Sequence, residues 1–377
     1  MKPDTLITVD PPGTFIKEEL DARGWSQRDL AYVLGKKEQE LSPILSGRRA
    51  ITPDMARLLG DAFDVPADFF ANLQKQFDLH NAKAPDPAIK LRGQLQAAFP
   101  VREMVNRGWL NDNDPSLLEL QFERFFEVAN LNEVPKVSFL GAAKKTRYED
   151  DLPGHVAWLY RVRQLAREIQ VEPYSREKLT NAVSRLRSLV IEPQEVKRTP
   201  FILAECGVRF VIVEALPNAK IDGVCTWLSD SEPVIGMSTF YDRLDNFWFV
   251  LRHEIEHVLN GDGKEEEFFD NLDSEAADPH NPSLRVEERR ANLAAADFCV
   301  SAPKMDSFFQ RKNPYFYEKD VLTFAGLMGV HPALVVGQLQ HRMKRYNYLR
   351  KYQVPVRQHI IAAALSDGWG TVAVANL

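Results

Sequence analysis

At 377 residues the chain exceeds the size at which one hydrophobic core stops growing, so two or more domains are expected. Its 45% hydrophobic and 27% charged content fits an ordinary globular protein, and a net charge of −6 excludes any general attraction to nucleic acid or anionic membrane. DNA binding, if present, must come from a local patch. The opening residues, MKPDTLITVDPPG, carry no apolar core flanked by basic residues, and no later run of about 18 uncharged apolar residues appears, which predicts a cytoplasmic protein with no membrane association. Cys206, Cys225 and Cys299 are odd in number and widely spaced, so packed or free thiols are expected rather than a disulfide framework or a four-cysteine zinc site.

The first eighty residues show short helices divided by tight punctuation. Phe15 to Arg23 closes at Gly24, Ser26 caps Gln27 to Leu34, and a third helix from about Lys37 to Leu45 ends at Ser46-Gly47. Thr52 and Pro53 open a fourth through Phe63, and Pro66-Ala67-Asp68 open a fifth through Phe77. The stretches GWSQRDLAYVLG, LSPILSGRRAIT and ADFFANLQ resemble the Xre-type helix-turn-helix family, in the variety found in HigA-like antitoxins, over about residues 12–77. The resemblance implies that the second helix braces the DNA backbone and the third enters the major groove. Carried onto this chain, Gln27, Gln39 and Ser42 would face operator DNA, with Arg48 and Arg49 on phosphates. Glu38 and Glu40 on the reading helix oppose binding through phosphate repulsion, and Pro43 removes a backbone donor there. The bland alternative is a helical module kept for dimerisation or partner contact.

Residues 78–100 mix alanine, proline and charge and read as the start of a linker. Helices follow at Val101 to Arg107, Ser116 to Asn130, Val156 to Ile169 and Ser175 to Val190, with Arg161, Arg163 and Arg167 expected on a solvated face and His155 structural. Near Pro200 the pattern changes to a short helix, Phe201 to Cys206, and then to strands. Val208 to Glu214 is strongly β-prone, and Gly223 to Leu228 and Pro233 to Met237 form a hairpin pattern around Ser229–Glu232. A sheet edge beside the next helix is a place where a peptide could pair by its backbone.

Leu244 to Gly261, LDNFWFVLRHEIEHVLNG, reads as one buried helix ended by Gly261. His253 and His257 lie four residues apart, about 40° around the axis and roughly 6 Å apart, so two neutral imidazoles on one face can grip zinc. Glu254, about 100° further round, can take a proton from a water at the ion. A third ligand is needed. After the acidic loop Asp262 to Asn281, Ser283 caps a helix, RVEERRANLAAADFCV, carrying Glu288, with Glu287 as competitor. Ala291, Ala294 and Ala295 are small enough to let this helix approach the histidine helix.

The strand pair, FWFVLRHEIEHVLNG and ExxAN together resemble the ImmA/IrrE-like zinc metallopeptidases over roughly residues 195–305. The resemblance implies His253, His257 and Glu288 as metal ligands, Glu254 as the catalytic base and Asn292 as a neighbour of the ligands. Where that family often has an acidic residue before the alanine, this chain has Arg290. His280, Tyr241 and Asn292 are candidates for an oxyanion donor. Two helices end the chain, Val321 to Met328 and Pro332 to Leu349, with a basic and aromatic tract from Arg342 to Tyr352 that is either a DNA or toxin contact or a solvated helix.

The expected fold is mainly α with a small β-sheet, an α+β chain divided into a helix-turn-helix bundle (1–80), a linker and helical middle region (81–195), a zincin-like domain (196–310) and a helical C-terminal region (311–377). Three functions are in view. The first is a DNA-binding antitoxin and autorepressor, acting as a homodimer on operator DNA and on a cognate toxin or repressor protein, with a zinc metallopeptidase-like domain. The second is a zinc endopeptidase that cuts a partner repressor or itself. The third keeps the metal as a structural or sensory element.

Overall fold

The computed structural model describes residues 9–86, 88–111, 114–130, 152–264, 268–270 and 285–373. They fall into two units, Met1–Pro87 and Ala88–Leu377. The first holds five helices: α1 (Pro12–Arg23), α2 (Gln27–Val33), α3 (Glu38–Leu45), α4 (Pro53–Phe63) and α5 (Ala67–Asn81). Ser26 and Asp29 form a reciprocal cap on α2, the serine Oγ accepting from the Asp29 N–H at 3.2 Å and the carboxylate accepting from the Ser26 N–H at 2.7 Å. Thr52 caps α4 through the Met55 N–H. Ile16, Leu30, Leu41, Leu59, Phe63 and Phe70 close a core of the unit's own. The Pro43 ring is accommodated within α3, and its carbonyl accepts the Arg48 and Arg49 N–H groups where the helix ends.

The second unit is a layered α+β fold. Its elements are α6 (Ala88–Ala98), α7 (Val101–Asn106), α8 (Pro115–Phe126), α9 (Leu152–Arg167), α10 (Arg176–Arg187), α11 (Thr199–Ala204), β1 (Arg209–Val213), β2 (Gly223–Trp227), β3 (Pro233–Met237), α12 (Leu244–Asn260), β4 (Phe268–Asp270), α13 (Val286–Cys299), α14 (Ala302–Lys312), α15 (Glu318–Met328), α16 (Pro332–Met343), α17 (Arg357–Ile360) and β5 (Leu365–Asp367). The sheet runs β4-β2-β3-β1-β5, with β1 parallel to β3 and β5, and β2 antiparallel to β3 and β4.

Strand alternation divides the apolar side chains between two clusters. Phe210, Ile212, Cys225, Ile235 and Met237 join α10 to α16 on one face, including Trp248, Leu251 and Ile255 of α12. Val211, Val213, Val224 and Val234 join Trp158, Leu159, Val162 and Phe122 on the other. Both faces are covered, which is why these strands read as continuous apolar runs. Gly236 is needed because a Cβ there would meet Val162 Cγ1 at 2.7 Å, so α9 lies directly on β3.

Several expectations are corrected. Residues 78–100 are largely helical: α5 continues to Asn81, and α6 buries Ala88 and Leu95. Arg161 is 3% exposed rather than solvated, because α9 is enclosed between the sheet and α8. Its guanidinium is satisfied by Asp367 of β5, Gln164 and the Ala373 carbonyl, while Arg167 does reach solvent and pairs with Glu127. The last long helix stops at Met343, where Lys344 takes a left-handed cap, and α14 and β5 occupy segments with no expected element. In the Arg342–Tyr352 tract Arg342 pairs with Asp306 at 2.7 Å, Lys351 with Glu318 at 2.7 Å, and the Tyr348 and Tyr352 hydroxyls bond Phe316 and Glu318, while Arg345 and Arg350 are exposed. The segments 81–195, 196–310 and 311–377 all contribute to the second unit and share its two clusters.

Candidate functional site

α12 and α13 pack closely along one another, and Ala291 and Ala295 are fully buried in the contact. This brings three side chains to one point. His253 Nε2 and His257 Nε2 are 3.0 Å apart, and the Glu288 carboxylate lies 3.3 Å from the first and 3.5 Å from the second. Ligand bonds of about 2.0–2.2 Å in a tetrahedral site put donor atoms roughly 3.3–3.6 Å from one another. The three separations lie at or just under that edge length, so the donor set fits a tetrahedral cation with a fourth position open. Both imidazoles are buried, and Glu288 keeps slight exposure.

Glu254 is fully buried and faces the start of β2. A Cβ on Gly223 would collide with Glu254 Oε1 and come within 2.9 Å of Val250 Cγ1, so the missing side chain is what seats the carboxylate between helix and sheet. Gly223 is itself paired with Met237 of β3 and Asp270 of β4.

Asp262 was not singled out by sequence. Its carboxylate lies 2.9 Å from His257 Nδ1, placing the proton on Nδ1 and the lone pair on Nε2. Gly261, in a left-handed cap at φ 74°, folds the chain back, and the Asp262 N–H donates to the His257 carbonyl at 3.0 Å. Burial pushes the Asp262 carboxyl up, but its hydrogen bonds with His257 and Arg290 and the guanidinium charge outweigh this and hold it below the usual carboxylate range. An acidic residue directly after the capping glycine was the available signal.

The remaining candidates separate. Asn292 is fully buried on α13, one turn beyond Glu288. Tyr241 is half exposed before α12 and lines a depression with Arg243, Tyr346 and Arg350. His280 lies outside the described residues.

In the first unit, Gln27 is the first residue of α2, and Gln39 and Ser42 are three apart on α3, on one face of that helix. All three are exposed, as are Arg48 and Arg49 just beyond the end of α3. The helix-turn-helix family model matches residues 16–70. The virulence-associated protein A' of Dichelobacter nodosus is 34% identical over 80 residues, 21% of this chain and 70% of that protein. Through this segment the chain belongs to the helix-turn-helix family.

Three solved structures are each similar over about a quarter of the chain or less. A Pseudomonas aeruginosa protein in complex with its operator DNA is 32% identical, covering 21% of this chain and 86% of that one, with a TM-score of 0.20. An addiction module antidote protein of a HigA family from Coxiella burnetii is 30% identical, covering 23% and 90%, with a TM-score of 0.19. The antitoxin HigA of Pseudomonas aeruginosa with its promoter is 29% identical, covering 24% and 91%, with a TM-score of 0.19. In the helix-turn-helix unit both glutamates at the start of α3 are engaged within the protein. Glu38 pairs with Arg28 of α2 at 3.2 Å, and Glu40 accepts from the Lys37 N–H at 3.3 Å.

Proposed function

We propose that this protein is a DNA-binding transcriptional regulator whose second unit is a zinc metallopeptidase-like domain, acting as the antitoxin and autorepressor of a toxin-antitoxin module. The observation that carries the second half is the convergence of His253, His257 and Glu288 on one point, with the Glu254 carboxylate alongside. Two imidazoles and one carboxylate are a borderline donor set suited to zinc rather than to calcium or magnesium. Bound there, zinc would supply Lewis-acid polarisation of a carbonyl and a water acidic enough to lose a proton near neutral pH.

The chain's own residues supply the rest. Asp262 fixes the His257 tautomer so that Nε2 presents its lone pair. Glu254, in its seat against Gly223, accepts a proton and returns it to a leaving amine. Asn292 and Tyr241 are the oxyanion candidates among the described residues. In the first unit, Gln39 and Ser42 would read base edges while Arg48 and Arg49 hold phosphates, with two copies on a two-fold operator.

The seat built for Glu254 also favours a second reading, an endopeptidase that cuts a partner repressor, with the helix-turn-helix serving for targeting. One set of variants separates the two. Arg48→Ala/Arg49→Ala should abolish binding to the DNA upstream of the gene in a gel-shift assay, and Glu254→Gln should leave it intact and keep its zinc. If the wild type cuts a candidate partner and Glu254→Gln does not, the peptidase reading stands; if DNA binding survives loss of both arginines, the assigned phosphate contacts fail.

A further inference from the structure

We propose that Arg290 is a positioning residue of the metal centre, acting on His257 through Asp262. The inference rests on reading His253, His257 and Glu288 as a metal site. Helix α13 reaches that site twice. Glu288 faces both imidazoles, and two residues on, Arg290 Nη2 lies 2.7 Å from Asp262 Oδ2, the same oxygen that stands 2.9 Å from His257 Nδ1. One carboxylate oxygen therefore serves the imidazole and the guanidinium together.

Among the described residues, Arg290 has one other acidic neighbour. Its Nε is 3.8 Å from Glu256 Oε1, and Glu256 is already held by Arg252 at 2.7 Å and by the Asn260 amide at 3.0 Å. Asp262 has its backbone tied to His257 but its side chain sits at the edge of the fold, 14% exposed, where an unheld carboxylate can rotate to water. Arg290 closes that escape with a charge-assisted hydrogen bond. The helix that supplies the third ligand thus also sets the ring orientation of the second, and seating of α13 is felt at two ligands at once.

Such outer partners are worth roughly 10–100-fold in metal affinity. Zinc affinity is measured by chelator competition on the full chain, alongside the visible spectrum of the cobalt(II)-loaded protein. Asp262→Asn should lose affinity in that range, Arg290→Ala should lose less, and Arg290→Lys should recover part of the loss as a point charge without the fork. Both Asp262→Asn and Arg290→Ala should shift the cobalt bands in the same direction. The double variant should bind no more weakly than Asp262→Asn alone, because Arg290 acts only through that carboxylate. Additive losses, or an Arg290→Ala protein with wild-type affinity and spectrum, overturn the proposal while leaving the metal site standing. A wild type that takes up neither metal overturns both. Arg290→Gln, which keeps the length of the side chain, serves if the alanine variant does not fold.

Discussion

Gly223 is where the sheet makes room for the Glu254 carboxylate. Replacing it by Ala puts a methyl group on Glu254 Oε1 and near Val250, both on a helix that is packed on its other faces and cannot retreat. Overpacking of this kind costs about 1–3 kcal/mol, and here it is relieved most easily by turning the Glu254 carboxylate out of its seat. Gly223→Ala should therefore lower the urea midpoint by an amount in that range and abolish any peptidase activity while zinc content stays near wild type. A loss of zinc in parallel would mean that the histidines shift as well. The site's main residues were readable from spacing, because four residues along a helix bring His253 and His257 to one face whatever the tertiary fold. Glu288 was readable from the small residues after it. Asp262, Arg290 and Gly223 were not, since each acts through a contact that exists only when Gly261 turns the chain back, α13 docks, or β2 lies under α12.

Elements show the same division between local and non-local causes. Caps and apolar periods placed α1 to α5 and α12 to within a few residues, since those signals are carried by adjacent side chains. Helix α9 was placed and its environment misread: Arg161 looked like one of a row of solvated charges, and only the distant Asp367 makes its burial tolerable. Helix α16 starts at a residue with a testable consequence. His331 caps it, its Nδ1 accepting the Ala333 N–H at 3.1 Å, and burial holds its pKa below the ordinary 6.5 despite the opposing pull of Glu192. A base harder to protonate when folded gives stability that is complete above about pH 6.5 and is lost as pH falls toward the depressed folded value. His331→Asn keeps a side-chain cap and removes the proton. Denaturant titrations at pH 7.5 and 5.5 should show a smaller drop for the variant than for the wild type. Equal drops would show that His331 makes no contribution to acid sensitivity.

At the scale of the whole molecule the chain divides where the core divides. Leu30, Leu41, Leu59 and Phe63 belong to a cluster formed only by residues of the first unit, whereas the three segments from 81 onward pool their apolar residues around one sheet. That pooling was hidden from a linear reading because β5, at 365–367, pairs in parallel with β1 more than 150 positions earlier, and a three-residue strand carries almost no pattern of its own. Among the described residues no helix is long and apolar enough to cross a membrane. Two separate cores predict two calorimetric transitions, and the metal proposed at His253, His257 and Glu288 would belong to one of them. Zinc at a thousand times its dissociation constant stabilises its host by about 4 kcal/mol, so a chelator should lower the transition of residues 88–377 by several degrees and leave that of the helix-turn-helix unit in place. Glu288→Gln should show the lowered transition from the outset and little response to chelator. If both transitions of the wild type move together, or neither moves, the assignment of a stabilising metal to His253, His257 and Glu288 within an independently folding second unit is wrong.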